Sequence, residues 1–232
     1  MTSIAFWIVI FAQEIWFLAM TIYCGNRNKI LQFLVSGIAL GVPYGLLMDS
    51  LVGYRSGIFN YGGLESDVGF LLINALLSYR LAISTMFNFT PWVASGLELN
   101  RRFSYLLLLI GSAALFAHAR YGGINAFVDM FSLGVVILSL SDAVLLIYSG
   151  RSLLYNLVRL QGDIFGLAGV SVATGAVYEM TNAMAGLWFW ENDFPSEHAN
   201  LLMIVVLGYH VLLFPMLVLA VIFKSTLISK AS

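Results

Sequence analysis

Gly186-Leu187-Trp188-Phe189-Trp190 echoes Gly57-Ile58-Phe59-Asn60-Tyr61 at a shift of 129 residues (186 − 57). Both copies read glycine, aliphatic, aromatic, any residue, aromatic. An acid precedes each copy: Asp49 and Glu179, 130 residues apart (179 − 49). An acid also follows each copy, Asp67 and Glu197, and Tyr79 and Tyr209 come after these, all at the same shift of 130 (197 − 67, 209 − 79). One residue has been lost between Glu179 and Gly186. Two similar halves are expected, each bringing carboxylates to a common place.

That place is in a bilayer. Hydrophobic residues make up 60% of the 232, charged residues 10%, and mean hydropathy is +0.91. A soluble domain carries about 25% charged residues. The net charge of −1 and the absence of a basic patch argue against nucleic acid as a partner. A single cysteine, Cys24, excludes an internal disulfide and a thiolate metal cluster. The histidines, His118, His198 and His210, are scattered, so no metal site is expected. The first apolar run lacks a basic leader and a small-residue cleavage site, and reads as a span.

A crossing of about 30 Å of hydrocarbon needs roughly 20 mostly apolar residues. Seven runs qualify: about Ile4–Cys24, Ile30–Val52, Gly69–Phe89, Phe103–Ala119, Ile124–Ser149, Ile164–Trp190 and Leu201–Phe223. Runs of this length in lipid are helices, because helices satisfy their own backbone. The expected fold is all-α and integral to the membrane. Two parallel three-helix repeats, about 1–89 and 124–223, flank a linker helix at about 103–119, in one domain covering 1–232. Parallel repeats put their shared site between the halves. Arg27, Lys29, Arg101, Arg102, Arg151, Arg159, Lys224 and Lys230 all fall on one side of this map, against Arg55 and Arg120 on the other. The positive-inside rule then puts the N-terminus outside and the C-terminus in the cytoplasm.

Acids within a membrane are costly and usually functional. A carboxyl in an apolar cavity favours its neutral form and can act as a Brønsted acid. Asp49 and Glu179 are the first candidates for this role. Asp67 and Glu197 are the second pair, although an acid opening a helix also serves simply as a cap. Phe59, Tyr61, Trp188 and Trp190 either line a substrate pocket, where rings stabilise cations, or form an interfacial belt. Tyr79 with Arg80, and Tyr209 with His210, complete the candidate binding set. Arg80 needs an acid or the interface, and His210 stands in its place in the second half as a proton carrier. Glu14 and Asp142 (shift 128) are near-equivalents that face the same cavity or answer Arg80.

The order of acid, Gly-x-aromatic-x-aromatic and Pro-x-Glu resembles the integral-membrane lycopene cyclases and their relatives. Asp49, Gly57, Phe59 and Tyr61 carry the likeness in the first half, and Glu179, Gly186, Trp188 and Trp190 in the second. Pro195-Ser196-Glu197 is similar to the Pro-x-Glu motif, whereas the first half has Leu64-Glu65-Ser66-Asp67 without proline. Small membrane terpene cyclases of meroterpenoid pathways are similar in size, span number and reliance on two acids. The resemblance implies a cofactor-independent cyclase acting on a hydrophobic prenylated or polyene substrate. One acid protonates an alkene or epoxide, aromatic walls hold the cation, and a second carboxylate takes the final proton.

Two other classes share these features. Small sugar transporters of the SWEET type also join three, one and three helices, but Pro43 falls opposite Ala173, so matched span-breaking prolines are missing. A non-catalytic assembly subunit would use its acids to bind partners. A retinal receptor is disfavoured, because Lys224 lies at the end of the last span.

Overall fold

The computed structural model describes residues 2–50, 59–62, 67–94, 98–121, 126–159, 164–190, 202 and 204–228. Described regular structure is almost entirely helical. Six helices are long and apolar enough to cross a membrane: Ile4–Tyr23, Arg27–Met48, Val68–Val93, Phe103–Tyr121, Ser132–Ser149 and Ile204–Lys224. The chain is a multi-pass membrane protein.

The elements in chain order are α1 (Thr2–Tyr23), α2 (Ile30–Met48) and a composite third span. That span joins α3 (Val68–Asn74), a π turn (Ala75–Tyr79), α4 (Arg80–Met86), a 3₁₀ turn (Phe87–Phe89) and α5 (Thr90–Ala94). Then come α6 (Phe103–Tyr121), α7 (Ala126–Ser149), the short α8 (Leu153–Arg159) and α9 (Ile164–Ala185). A second π turn (Ile204–Gly208) leads into α10 (Tyr209–Ile228).

Six of the seven expected spans coincide with these helices, and α9 stands where the other was expected. It is a helix of 22 residues. It carries Ser171, Thr174, Glu179, Thr181 and Asn182, and all five are buried. A helix whose polar groups face protein does not need to be apolar all round.

The third span is the most enclosed of the six and α6 the least. The third span packs on α1, α2 and α10, while α6 lies outside against α7. Three contacts run α1 parallel to the third span. Phe6 meets Phe70 edge-to-face at 6.2 Å, Arg80 pairs with Glu14 at 3.4 Å, and Asn88 donates to Thr21 at 3.0 Å. On its other side α1 packs against α9, where the Trp16 indole donates to Thr174 at 3.1 Å. Tyr44 of α2 donates to the Leu212 carbonyl of α10 at 2.8 Å.

The two aromatic steps pair directly. Phe59–Asn60 (β1) and Phe189–Trp190 (β2) form a two-residue antiparallel ladder, with Phe59 opposite Trp190 and Asn60 opposite Phe189. The chain leaving α2 thus lies beside the chain leaving α9.

Candidate active site

Both leading acids are buried: Asp49 is 1% exposed and Glu179 is 3% exposed. Asp49 caps the end of α2. Its Oδ1 accepts from the Tyr79 hydroxyl at 2.7 Å and the Tyr61 hydroxyl at 3.0 Å, and its Oδ2 from the Asn74 amide at 3.1 Å. Asn74 also donates to the Tyr61 oxygen at 3.0 Å. Glu179 sits near the end of α9. Its Oε1 accepts from the Tyr209 hydroxyl at 2.9 Å and the Trp188 indole at 3.2 Å. In each case the tyrosine is 30 residues beyond the acid.

The backbone sets these pairs up in matching ways. A π turn ends at Tyr79, and another ends immediately before Tyr209. The wider turn shifts the helical phase, and such insertions concentrate at functional sites. The residue four before each acid is a glycine, and each faces the tyrosine that the acid binds. A Cβ on Gly45 would stand 2.7 Å from the Tyr79 ring, and one on Gly175 would stand 2.7 Å from the Tyr209 ring. Only glycine admits the two rings that close to their helices.

Trp188 links the two centres. It donates to Glu179 and packs against the small cluster of Tyr61 and Leu71. Asn182 holds it in place: its Oδ1 accepts from the Leu187 and Trp188 N–H groups, both at 2.9 Å, and its Nδ2 donates to the Trp188 carbonyl at 2.8 Å. Gly186 has φ of +60°, a left-handed conformation that ends α9 and turns the chain back over Asn182. Tyr79, Tyr178 and Tyr209 belong to one continuous core that also holds Tyr44 and Met48. Tyr44 lies edge-on to Tyr79 at 6.1 Å, and Tyr178 edge-on to Tyr209 at 6.0 Å.

The other expected residues are placed differently. Asp67 is exposed and caps α3, accepting from Gly69 N at 2.8 Å and Phe70 N at 3.2 Å. Removing that cap is expected to cost about 1 kcal/mol of stability in Asp67→Ala. Asp67→Ser, which still caps, should restore it. Thermal melting of the purified protein measures both, and an unchanged melting point in Asp67→Ala would refute the capping role. Arg80 pairs with Glu14 and does not reach Asp49. Asp142 does not answer Arg80; it receives Ser152 Oγ and Leu153 N (2.7 Å) and so caps α8. His210 is partly buried on α10, and its Nδ1 has no hydrogen-bond partner among the described residues. Glu197 and the side chains of Phe59 and Trp190 lie outside the described residues.

Asn74 and Asn182 were not singled out from the sequence. Their signal was a polar amide inside an otherwise apolar span, which needs a partner when buried. No group of three or more metal-binding side chains occurs among the described residues.

Comparison with known proteins gives no relative: no family model, no curated protein and no solved structure matches the chain.

Proposed function

We propose that the protein is a membrane-embedded terpenoid cyclase that acts without a cofactor, using Asp49 and Glu179 on a prenyl or polyene substrate. The observation that carries this reading is a pair of buried carboxyl groups inside a ring-walled apolar core. Each is held by a tyrosine at the same spacing, and Trp188 touches both neighbourhoods.

The chemistry follows from those groups. Glu179 in its protonated form gives its proton to an alkene carbon or an epoxide oxygen. A carbocation forms at the adjacent carbon, and the π electrons of a neighbouring alkene close a C–C bond onto it. The faces of Trp188 and the tyrosines stabilise the positive charge. The Asp49 carboxylate removes a proton from the carbon next to the final cation, leaving an alkene. The product is an isomer of the substrate, so no electrons are gained or lost. Three donors converge on Asp49 and hold its negative charge in place before the reaction, as electrostatic preorganisation requires.

The same reading includes a repeat architecture, with spans one to three equivalent to spans five to seven about an axis along the membrane normal. Matched acid–tyrosine pairs, π turns and glycines support it, as does the meeting of the two aromatic steps. In this reading α9 is the sixth of seven crossings. Its 22 residues extend about 33 Å, enough for the hydrocarbon core. The N-terminus is non-cytoplasmic and the C-terminus cytoplasmic, as the cationic loops require.

The test is a cyclisation assay in membranes containing the protein, run in D₂O with linear isoprenoids and their terminal epoxides. The expected product has the substrate's composition except for one deuterium at the protonated atom, which on an oxygen exchanges away during work-up. A cyclised product from an alkene with no deuterium on carbon would overturn protonation by an exchangeable acid. Movement of a small polar solute by vesicles, without any ring product, would favour the transporter class.

A further inference from the structure

Gln13 lies in the middle of α1 with 0% of its surface exposed, and neither its Nε2 nor its Oε1 has a hydrogen-bond partner among the described residues. Leaving a buried amide unpaired costs several kcal/mol, so a structure retains one only where something else satisfies it. The Tyr178 hydroxyl is also buried and has no partner among the described residues.

The packing brings these two orphans to one level. The parallel contacts Phe6–Phe70, Glu14–Arg80 and Thr21–Asn88 put Gln13 level with Tyr79 on the third span. On the other side α9 runs antiparallel to α1. Its C-terminal end carries Trp188, which packs beside Tyr61, and Tyr61 meets Phe70 near the N-terminal end of α1. The Trp16–Thr174 contact then puts Gln13, one turn nearer that end, level with Tyr178, one turn further along α9. Tyr178 precedes Glu179 in sequence and lies against Tyr209, which binds Glu179. Gln13 therefore stands at the depth of both acid centres.

We propose that Gln13 and Tyr178 form a polar recognition site for a hydroxyl group on an otherwise apolar isoprenoid ligand, anchoring it beside Glu179. This rests on the reading of the core as an isoprenoid-binding acid pair. The match is chemical. A carboxamide offers one acceptor and two donors, and a phenol offers a donor. An alcohol donates to Oε1 and accepts from Nε2 or the phenol. A ketone satisfies the donors alone, and a hydrocarbon satisfies neither. Sites built to hydrogen-bond a hydroxyl discriminate strongly against analogues that lack it, because their own polar groups are then left unpaired.

The experiment measures binding separately from turnover. Full-length protein in nanodiscs is titrated with a C20 isoprenoid alcohol, the matching ketone and the deoxy hydrocarbon. Wild type is expected to bind the alcohol at least about tenfold more tightly than the hydrocarbon, the value of one well-made hydrogen bond, with the ketone between them. Gln13→Leu and Tyr178→Phe should bring that preference within about twofold, while Gln13→Glu, which keeps a polar head, should retain part of it. Both apolar variants should fold, since each removes a buried unpaired group; a raised melting temperature confirms that they do. Equal binding of alcohol and hydrocarbon by wild type overturns the proposal, and so does an unchanged preference in Gln13→Leu, which would leave the pair satisfied by water alone. Binding of none of the three probes overturns it as well. Turnover separates the two ideas. Alcohol selectivity without any ring product keeps the recognition site and removes the cyclase, whereas ring formation that Gln13→Leu leaves unchanged does the reverse.

Discussion

Glu179→Gln and Asp49→Asn each lower ring formation by about 10²- to 10⁴-fold, the range that a positioned acid or base contributes, without loss of folded protein. The amides keep the shape of the side chain and can still accept from Tyr209 and Trp188, or from Tyr79 and Tyr61. Gln cannot protonate an alkene, and Asn cannot carry the charge that the three donors around Asp49 are arranged to hold. The two losses should differ in character. With Glu179→Gln the substrate should be recovered unreacted, because no cation forms. With Asp49→Asn a cation that forms but is not quenched should give altered alkene isomers or trapped alcohols at low yield. Product analysis by gas chromatography distinguishes them. Full activity in both variants would remove these acids from the chemistry.

The second large effect concerns the glycines that admit the tyrosines. Gly45→Ala and Gly175→Ala place a methyl group 2.7 Å from the ring of Tyr79 or Tyr209, well inside van der Waals contact. Either the ring leaves its acid or the two helices move apart. Overpacking of this kind costs about 1–3 kcal/mol. Losing the tyrosine also takes a hydrogen bond to a carboxyl group, worth a further ~1.5–3 kcal/mol if that group is charged. Both variants are therefore expected to melt well below wild type and to lose most activity. Gly169→Ala is the control, because nothing lies within 4 Å of a Cβ there; it should melt at or above wild type, as alanine is the better helix former. If Gly45→Ala and Gly169→Ala behave alike, the close approach is not what holds the acid centre. Restoration of stability by Gly45→Ala with Tyr79→Leu would show that the clash lies with the ring.

The membrane class, the position of most spans and the two leading acids were all legible in the chain. Apolar runs of about 20 residues allow one backbone solution in lipid, so the observed helices lie close to the runs read from composition. Asp49 and Glu179 stood out because an internal echo marks them, and both prove to be buried and bound by the tyrosines of the same echo. The echo had no such power for Asp67, where an exposed acid caps a helix, since sequence spacing cannot tell a cap from a reactive acid. The likeness of Glu14 to Asp142 was a guide to Glu14 alone. Glu14 meets Arg80, whereas Asp142 turns to the start of α8, a short helix that follows it in the chain.

The sequence alone does not show what covers α9. Its polar groups are tolerable because neighbouring helices cover them, and that depends on which helices are neighbours. The π turns that end at Tyr79 and just before Tyr209 carry no sequence signature, yet each advances the helical phase that aims a hydroxyl at an acid. Asn74, Asn182 and Gln13 read as isolated polar residues in apolar runs. What they do depends on distances of about 3 Å to residues in other segments of the chain, or on the lack of a partner at that distance among the described residues. Local composition determines where a chain of this kind enters the bilayer, because each residue meets lipid individually. Which acids share a core, and which amides remain unpaired in it, is decided only when α1, the third span and α9 pack together.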